Sequence, residues 1–313
     1  MDNGRDRRRR APGPERVWTV VVTYQAAETI AATLQSVRDS PASSATVVVD
    51  NGSTDGTVEL IAAEFPEVTV LQPTDNVGFA AGCNLGIAHA ARLGADAYLL
   101  LNPDAELDPD CLELLINALT DDPEAGVVSP VLVDPRQDLV WYAGAEFDLD
   151  RGRFGVLGWG LHRDAISPIR RTGRPSGATM LIRADALEAT GPFEESYFLY
   201  WEECEWTARL LAAGYVVALA PAATARHRTS SSTGGTGSPI YEYYFTRNLL
   251  RLLVDAGGYD RAGALRRAVP TLWPRVALLL RRDLRQAPRR LQPMAWGIGD
   301  FWRGRSGHRA GLP

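Results

Sequence analysis

Chemistry in this sequence gathers around carboxylates that follow apolar runs. Leu99-Leu100-Leu101 stops at Asn102-Pro103-Asp104. A short apolar run ended by a turn signal reads as a strand buried on both faces. Pro103 ends it, because proline has no N–H to give to a ladder. Asp104 is thereby placed at the carboxyl end of a central strand, where open α/β sheets bind ligands. A carboxylate there suits a hard divalent cation that carries phosphates and keeps several non-protein ligands. The competing reading is an Asp that caps the next helix.

Three further groups accompany it. Thr23-Tyr24 and Asp50 end two other β-rich runs, so they line the same crevice. A carboxylate at 50 can accept from a base imide or from ribose hydroxyls; its other reading is an Asx-turn within Asn51-Gly52-Ser53. The loop from Asn76 through Gly78 and Phe79 to Gly86 is not a GxGxxG loop. It reads either as a backbone surface against a sugar nucleotide or as an ordinary strand-to-helix turn. Glu202-Glu203-Cys204-Glu205 follows Phe198, Tyr200 and Trp201. Acids there either complement a helix dipole or supply a general base whose pKa is raised by burial and like charge. His227, between Arg226 and Arg228, is a candidate metal ligand or a surface loop histidine.

The elements that must position these groups alternate. Residues 17–24, 46–50, 68–71 and 97–101 read as strands, and 27–39, the segment through Phe65, and the segment ending near Gly94 read as helices. Ile30, Leu34 and Val37 carry helical spacing, and Thr54 or Asp55 can cap the second helix. This is the pattern of βαβ units and a mostly parallel sheet. Residues 127–133 and 178–183 read as further strands, and 198–213 as a helix carrying Arg209. Between them, 134–176 is rich in Gly, Trp and Tyr without clear period, as substrate loops on a rigid scaffold are. Residues 228–239 are low in complexity.

Composition narrows the class. The 313 residues, 45% hydrophobic and 23% charged, are those of an ordinary soluble globular protein with a sizeable core. The three cysteines are scattered, which suits a reducing cytoplasm and argues against a disulfide framework or a zinc site. The basic start, Arg7 to Arg10, has no apolar run behind it and does not read as a secretory signal. No stretch is apolar for long enough to span a bilayer. All 33 basic residues are arginine. The absence of lysine excludes a Walker A loop, Schiff bases and pyridoxal phosphate. Phosphate charge must therefore be met by arginine, backbone amides or metal. Residues 17–260 hold 15 Arg against 33 Asp and Glu, whereas 261–313 hold 12 Arg against 2 Asp, so an acidic body carries a basic tail.

Taken in order, these segments resemble the family 2 inverting glycosyltransferases of GT-A fold, and within them the rhamnosyltransferase-like branch. The resemblance is carried by 20–24 (VVVTY), 47–57 (VVVDNGSTDGT), 76–87 (NVGFAAGCNLGI), 99–104 (LLLNPD), 176–183 (SGATMLIR) and 191–206 (GPFEESYFLYWEECEW), and spans roughly residues 17–250. It implies a Rossmann-like sheet flanked by helices and transfer from a nucleotide-activated sugar to a hydroxyl, with inversion. It further implies that Thr23, Tyr24, Asp50, Asn76, Gly78, Phe79 and Asn102 hold the nucleotide. Asp104, with His227, would hold Mg²⁺ or Mn²⁺. Glu203 stands at the base position, with Glu202 as the alternative, and Gly177, Ala178 and Trp201 face sugar or acceptor. Asn102, Glu203 and Cys83 depart from the family's usual Asp, Asp and Asn. Arg247-Asn248 resemble a downstream Arg-Asn pair of open role.

The polar, charged start reads as a disordered basic arm over 1–15, the resemblance implies a glycosyltransferase domain over 16–250 (nucleotide half 16–105, acceptor half 106–250), and the rest reads as a basic helical extension over 251–313. Expected partners are a nucleotide-sugar donor and a glycan or lipid-linked acceptor, with no nucleic acid, in the cytoplasm. The basic tail offers a peripheral contact with the inner face of the membrane: Leu272, Trp273, Val276, Leu278, Leu279 and Leu280 lie among arginines. The alternative is a terminal helix packed on the body. A non-catalytic nucleotide-sugar-binding protein and a sugar nucleotidyltransferase are the other functional readings. The second lacks its Gly-rich basic loop, since Thr23-Tyr24-Gln25-Ala26-Ala27 stands there.

Overall fold

The computed structural model describes residues 13–42, 45–166, 170–228, 237–282 and 287–312. Most of the expected basic arm and of the low-complexity stretch 228–239 therefore lies outside the described residues.

The first half alternates as its hydrophobic pattern dictates. β1 (Val17–Thr23), α1 (Ile30–Arg38), β2 (Ala45–Asp50), α2 (Thr57–Glu64), β3 (Thr69–Leu71), α3 (Gly78–Arg92) and β4 (Ala97–Leu101) follow in chain order. Each helix returns the chain to the same end of the sheet, which makes the strands parallel. They lie in the order β3-β2-β1-β4. Val20, Val21, Val47, Val48, Leu99 and Leu100 are buried, because helices cover both faces of the sheet. Ile30, Leu34 and Val37 of α1 form its buried stripe. Register places Thr23 opposite Asp50 and Val21 opposite Leu101, so the three strands end together. Helix α2 starts at Thr57 behind Gly56, which takes φ 92°, and Asp55 accepts the Thr57 N–H (3.2 Å) and hydroxyl (2.5 Å). The capping is thus done by Asp55 from just outside the helix.

Past β4 the sheet also takes in antiparallel strands. β5 (Ala105–Leu107), α4 (Cys111–Asp121), β6 (Ala125–Val133), β7 (Val140–Tyr142), β8 (Arg171–Thr172), β9 (Thr179–Arg183), α5 (Ala184–Thr190), α6 (Glu202–Ala212) and β10 (Val216–His227) complete it. β9 lies between β4 and β6 and is antiparallel to both. The chain reaches β9 through the irregular excursion 134–178 and not through a helical crossover, so β9 begins at the ligand end. β10 runs parallel to β6 and returns to that end, where His227 pairs with Ala105 of β5.

Helix α6 begins at Glu202, four residues later than its apolar pattern predicts. Phe198, Tyr200 and Trp201 take φ of 66°, 65° and 73°, values that side chains other than glycine rarely adopt and that no helix continues through.

The remaining helices are α7 (Pro239–Asp255), α8 (Arg261–Arg282) and α9 (Ala287–Trp302). Ser238 caps α7 by accepting the Tyr241 N–H at 3.2 Å, and Pro239 occupies the first turn, where its missing N–H costs nothing. Leu249, Leu253, Ala264, Ala268, Leu272, Leu279, Met294 and Phe301 make a separate core among these helices. Arg275 of α8 meets the buried carboxylate of Glu242 of α7 at 2.7 Å. Of the two expectations for the tail, the packed helix accounts for Leu272 and Leu279, while Val269 and Trp273 of α8 remain exposed. Among the described residues no helix is long and apolar enough to cross a membrane.

Candidate active site

The carboxyl ends of β1, β2 and β4 and the end of β10 surround one cleft. Its walls are Thr23, Tyr24, Asn51, Asn76, Gly78, Phe79, Asn102, Asp104 and His227 on the sheet side, and Phe198, Leu199, Tyr200 and Tyr241 on the other. Most of the nucleotide and metal positions expected from the sequence are therefore brought together.

Asp104 and His227 are both buried, and His227 Nε2 stands 2.9 Å from Asp104 Oδ1. Asn102 Nδ2 is 3.3 Å from the same imidazole nitrogen. The strand pairing of β5 with β10 fixes this, helped by the Arg228 N–H donating to the Asp104 carbonyl at 3.1 Å. Trp141 lies against the imidazole, with ring centroids 5.2 Å apart. This donor set fits a divalent cation. Adjacent ligands of an octahedral ion stand about 3 Å apart, and a carboxylate joined by an imidazole suits the softer Mn²⁺ better than Mg²⁺, with waters and phosphate oxygens completing the set. Among the described residues no three His, Cys, Asp or Glu side chains gather. The other ligands of such an ion would have to come from a diphosphate, water or the Asn102 amide oxygen.

The 76–79 loop is held by side chains. Asn51 donates from Nδ2 to the Gly78 carbonyl (3.2 Å) and accepts the Val77 N–H (3.3 Å), and Asn76 Oδ1 accepts the Gly78 N–H at 3.0 Å. Gly78 takes φ +85°, and a Cβ there would lie 2.5 Å from the Phe198 carbonyl oxygen, so only glycine fits. Thr23 places at the cleft a buried hydroxyl that has no hydrogen-bond partner among the described residues, and Tyr24 stands at its mouth. Asp50 departs from expectation. It is fully buried, and its carboxylate accepts the Gly52 N–H (3.2 Å), the Ser53 N–H (3.0 Å) and the Ser53 hydroxyl (2.5 Å). It supports the turn, and its neighbour Asn51 lines the cleft.

The acid cluster divides in two. Glu203 is partly exposed and meets Arg174 Nη1 at 3.5 Å. Gly177 lies against it, since a Cβ there would be 3.8 Å from the Glu203 carboxyl carbon, and the Ala178 carbonyl accepts the Asn102 N–H at 2.9 Å. The 177–178 backbone thus joins the acid to the Asn102 end of the cleft. Glu202 is buried, and its Oε2 has no partner among the described residues. Burial, with the Glu203 charge adjacent, pushes its pKa well above the usual carboxylate range. Trp201, expected beside the sugar, is instead packed in the core against Phe154 and Phe245, and donates from Nε1 to the Phe245 carbonyl at 3.0 Å. Its left-handed backbone turns the ring inward.

The state of Glu202 is testable. A carboxyl whose pKa is higher folded than unfolded binds more protons when folded, so stability falls as pH rises from about 4.3, the unfolded value, towards the raised one. Glu202→Gln is neutral throughout and escapes that loss. Its denaturation midpoint should match the wild type near about pH 4 and exceed it near about pH 8. A constant difference between the two proteins across this range would mean that Glu202 is not shifted.

Sequence reasoning missed Asn51, Tyr241, Trp141 and Arg174. Asn51 follows Asp50 directly, so a one-residue change of emphasis would have found it. Arg174 has no local signal at all.

Known proteins resemble this chain in sequence and in fold. The family model for Glycosyl transferase family 2 matches residues 18–187, more than half of the chain. An N-acetylglucosaminyl-diphospho-decaprenol L-rhamnosyltransferase of Mycobacterium tuberculosis is 29% identical over 293 residues, covering 87% of this chain and 95% of that one. A dTDP-rhamnosyl transferase, RfbF, of Shigella flexneri is 24% identical over 215 residues, covering 66% and 70%. Among solved structures, a mannosyltransferase of Pyrobaculum calidifontis in complex with GDP-Man and Mn²⁺ superposes with a TM-score of 0.56 at 19% identity, over 92% of this chain and 86% of that one. That likeness speaks to the GT-A fold. With the family match over β1 to α5 and the cleft at the strand ends, the chain belongs to glycosyl transferase family 2, whose members transfer a sugar from a nucleotide-sugar donor.

Proposed function

We propose that this glycosyltransferase is an inverting, cation-dependent rhamnosyltransferase that takes dTDP-rhamnose as donor and a lipid-linked sugar diphosphate as acceptor. The observation that carries the reading is the Asp104 and His227 pair, 2.9 Å apart in the donor cleft. The choice of sugar and acceptor draws support from the names of the two rhamnosyltransferase relatives.

In this reading Thr23, Tyr24, Asn51 and the 76–79 backbone receive the nucleoside. Asp104 and His227, with Asn102, would hold the cation, which offsets charge on the departing diphosphate as a Lewis acid. Glu203 takes the proton of the acceptor hydroxyl on its carboxylate as that oxygen bonds to the anomeric carbon. The bond from that carbon to the diphosphate oxygen breaks on the opposite face, which inverts the centre. Arg174, at 3.5 Å, keeps Glu203 oriented. Glu202, buried and with its pKa pushed up by burial and by the adjacent Glu203 charge, faces the interior, so this reading gives the base role to Glu203. No step needs a lysine or a protein nucleophile.

Thermal unfolding with UDP, dTDP, GDP or CDP, each with and without Mn²⁺ or Mg²⁺, tests this, because a ligand that binds only the folded state raises the melting temperature. The largest cation-dependent rise is expected with dTDP. A rise with UDP instead would overturn the rhamnosyl assignment, and no rise with any nucleotide would overturn the donor site.

A further inference from the structure

We propose that Arg247, Asn248 and the C-terminal segment 305–309 are positioning elements of the donor cleft. They hold the 197–201 turn in the left-handed course that sets Phe198 against the 76–79 loop. The inference rests on reading that cleft as the nucleotide-sugar site.

The turn needs external support. Phe198, Tyr200 and Trp201 sit at φ 66°, 65° and 73°, and side chains other than glycine persist there only where surrounding contacts over-determine them. The turn's carbonyls leave the sheet and have no ladder to join. Asn248 Nδ2 lies 2.8 Å from the Tyr197 carbonyl, 2.8 Å from that of Leu199 and 3.0 Å from that of Tyr200. Arg247 adds a donor to Tyr197 at 3.0 Å, and its Nε is fixed on Asn248 Oδ1 at 2.8 Å. Both side chains are buried, and neither lines the cleft.

The C-terminal segment closes the same assembly. The Arg247 guanidinium donates to the Gly307 carbonyl at 2.7 Å, and the Gly307 N–H donates to the Ser196 carbonyl at 2.7 Å, just before the turn. The His308 ring lies 5.0 Å from the Phe198 ring, and Tyr244 stacks on Phe198 at 5.2 Å. The segment is anchored by buried Asp300, which accepts the Tyr243 hydroxyl at 2.9 Å and pairs with Arg305 and Arg309. What is held in place is then used: the Phe198 carbonyl accepts the Phe79 N–H at 2.7 Å, and Phe198 abuts Gly78. Phe198, Leu199 and Tyr200 line the cleft opposite Asp104 and His227. A shift of Phe198 therefore moves a backbone surface that meets the donor.

The experiment measures dTDP binding with Mn²⁺ (UDP if the wild type binds only that) and steady-state kinetics, on the full chain, on a chain ending at Arg303, and on His308→Ala and His308→Phe. Loss of one aromatic contact is expected to raise the nucleotide Kd and donor KM of His308→Ala about 2–10-fold. Removal of the segment should raise them about tenfold or more. Acceptor KM and the pH profile should stay at wild-type values in both, and His308→Phe, which keeps a ring, should bind as the wild type does. A purely structural role would lower the melting temperature without this split. Unchanged Kd and donor KM in His308→Ala, folded by circular dichroism, would overturn the inference even if the shortened chain fails to fold, as would equal losses in His308→Phe and His308→Ala. Absence of any nucleotide binding by the wild type would overturn the cleft assignment and the inference together.

Discussion

Asp104→Ala is expected to abolish cation-dependent binding of nucleoside diphosphate while leaving the fold intact. Asp104 closes the turn after β4, and its carboxylate faces His227 Nε2 at 2.9 Å, not a helix end. In the proposed reading, removing the one carboxylate among the cation's protein ligands leaves an imidazole and an amide, which bind hard cations poorly by themselves. Even outer-shell partners of a metal site cost about 10–100-fold when lost, so a direct ligand should cost at least about 100-fold. The measurement is the melting-temperature rise with dTDP and Mn²⁺, which should vanish in the variant while the ligand-free melting temperature stays near the wild-type value. Chelation of the metal from the wild-type protein should give the same loss. Undiminished turnover in Asp104→Ala would remove this residue from the mechanism.

Glu203→Gln is the second large effect. A positioned base contributes typically 10²–10⁴-fold, so kcat should fall by about that factor. Nucleotide affinity should hardly change, because the lost interaction forms only as the acceptor attacks. Glutamine keeps a neutral acceptor for Arg174, which limits the damage to packing. Glu202→Gln, measured in parallel, should leave turnover near wild type. A larger fall there than in Glu203→Gln would move the base by one residue.

The outcome at these two acids shows what local pattern can and cannot convey. Adjacent glutamates at the start of a helix look equivalent in a sequence. They point about 100° apart around the helix axis. One meets the Arg174 guanidinium and the other enters the interior near Cys83. A similar division separates Asp50 from Asn51. The last residue of β2 turns beneath its own loop, and the next one reaches the cleft.

Several features of this protein were determined by its sequence alone. Alternating buried strands and amphipathic helices made the first half a parallel sheet, because period and length are local properties that burial on both faces demands. Pro103 and the glycine-rich turns made those strands end together, so Thr23, Asn76, Asn102 and Asp104 had to meet. The absence of lysine restricted the chemistry of phosphate to arginine, amides and metal. Tertiary structure alone decided the rest. The antiparallel course of β9 depended on how an aperiodic excursion returned to the sheet. The pairing of His227 with Asp104 depended on β10 docking beside β5, across more than a hundred residues. The assignment of Arg174 to Glu203, the inward turn of Trp201 and the closure of the C-terminal segment over the 197–201 turn likewise arise from contacts between distant segments. Local propensity carries no information about such contacts, because each becomes favourable only once the sheet has brought the partners together.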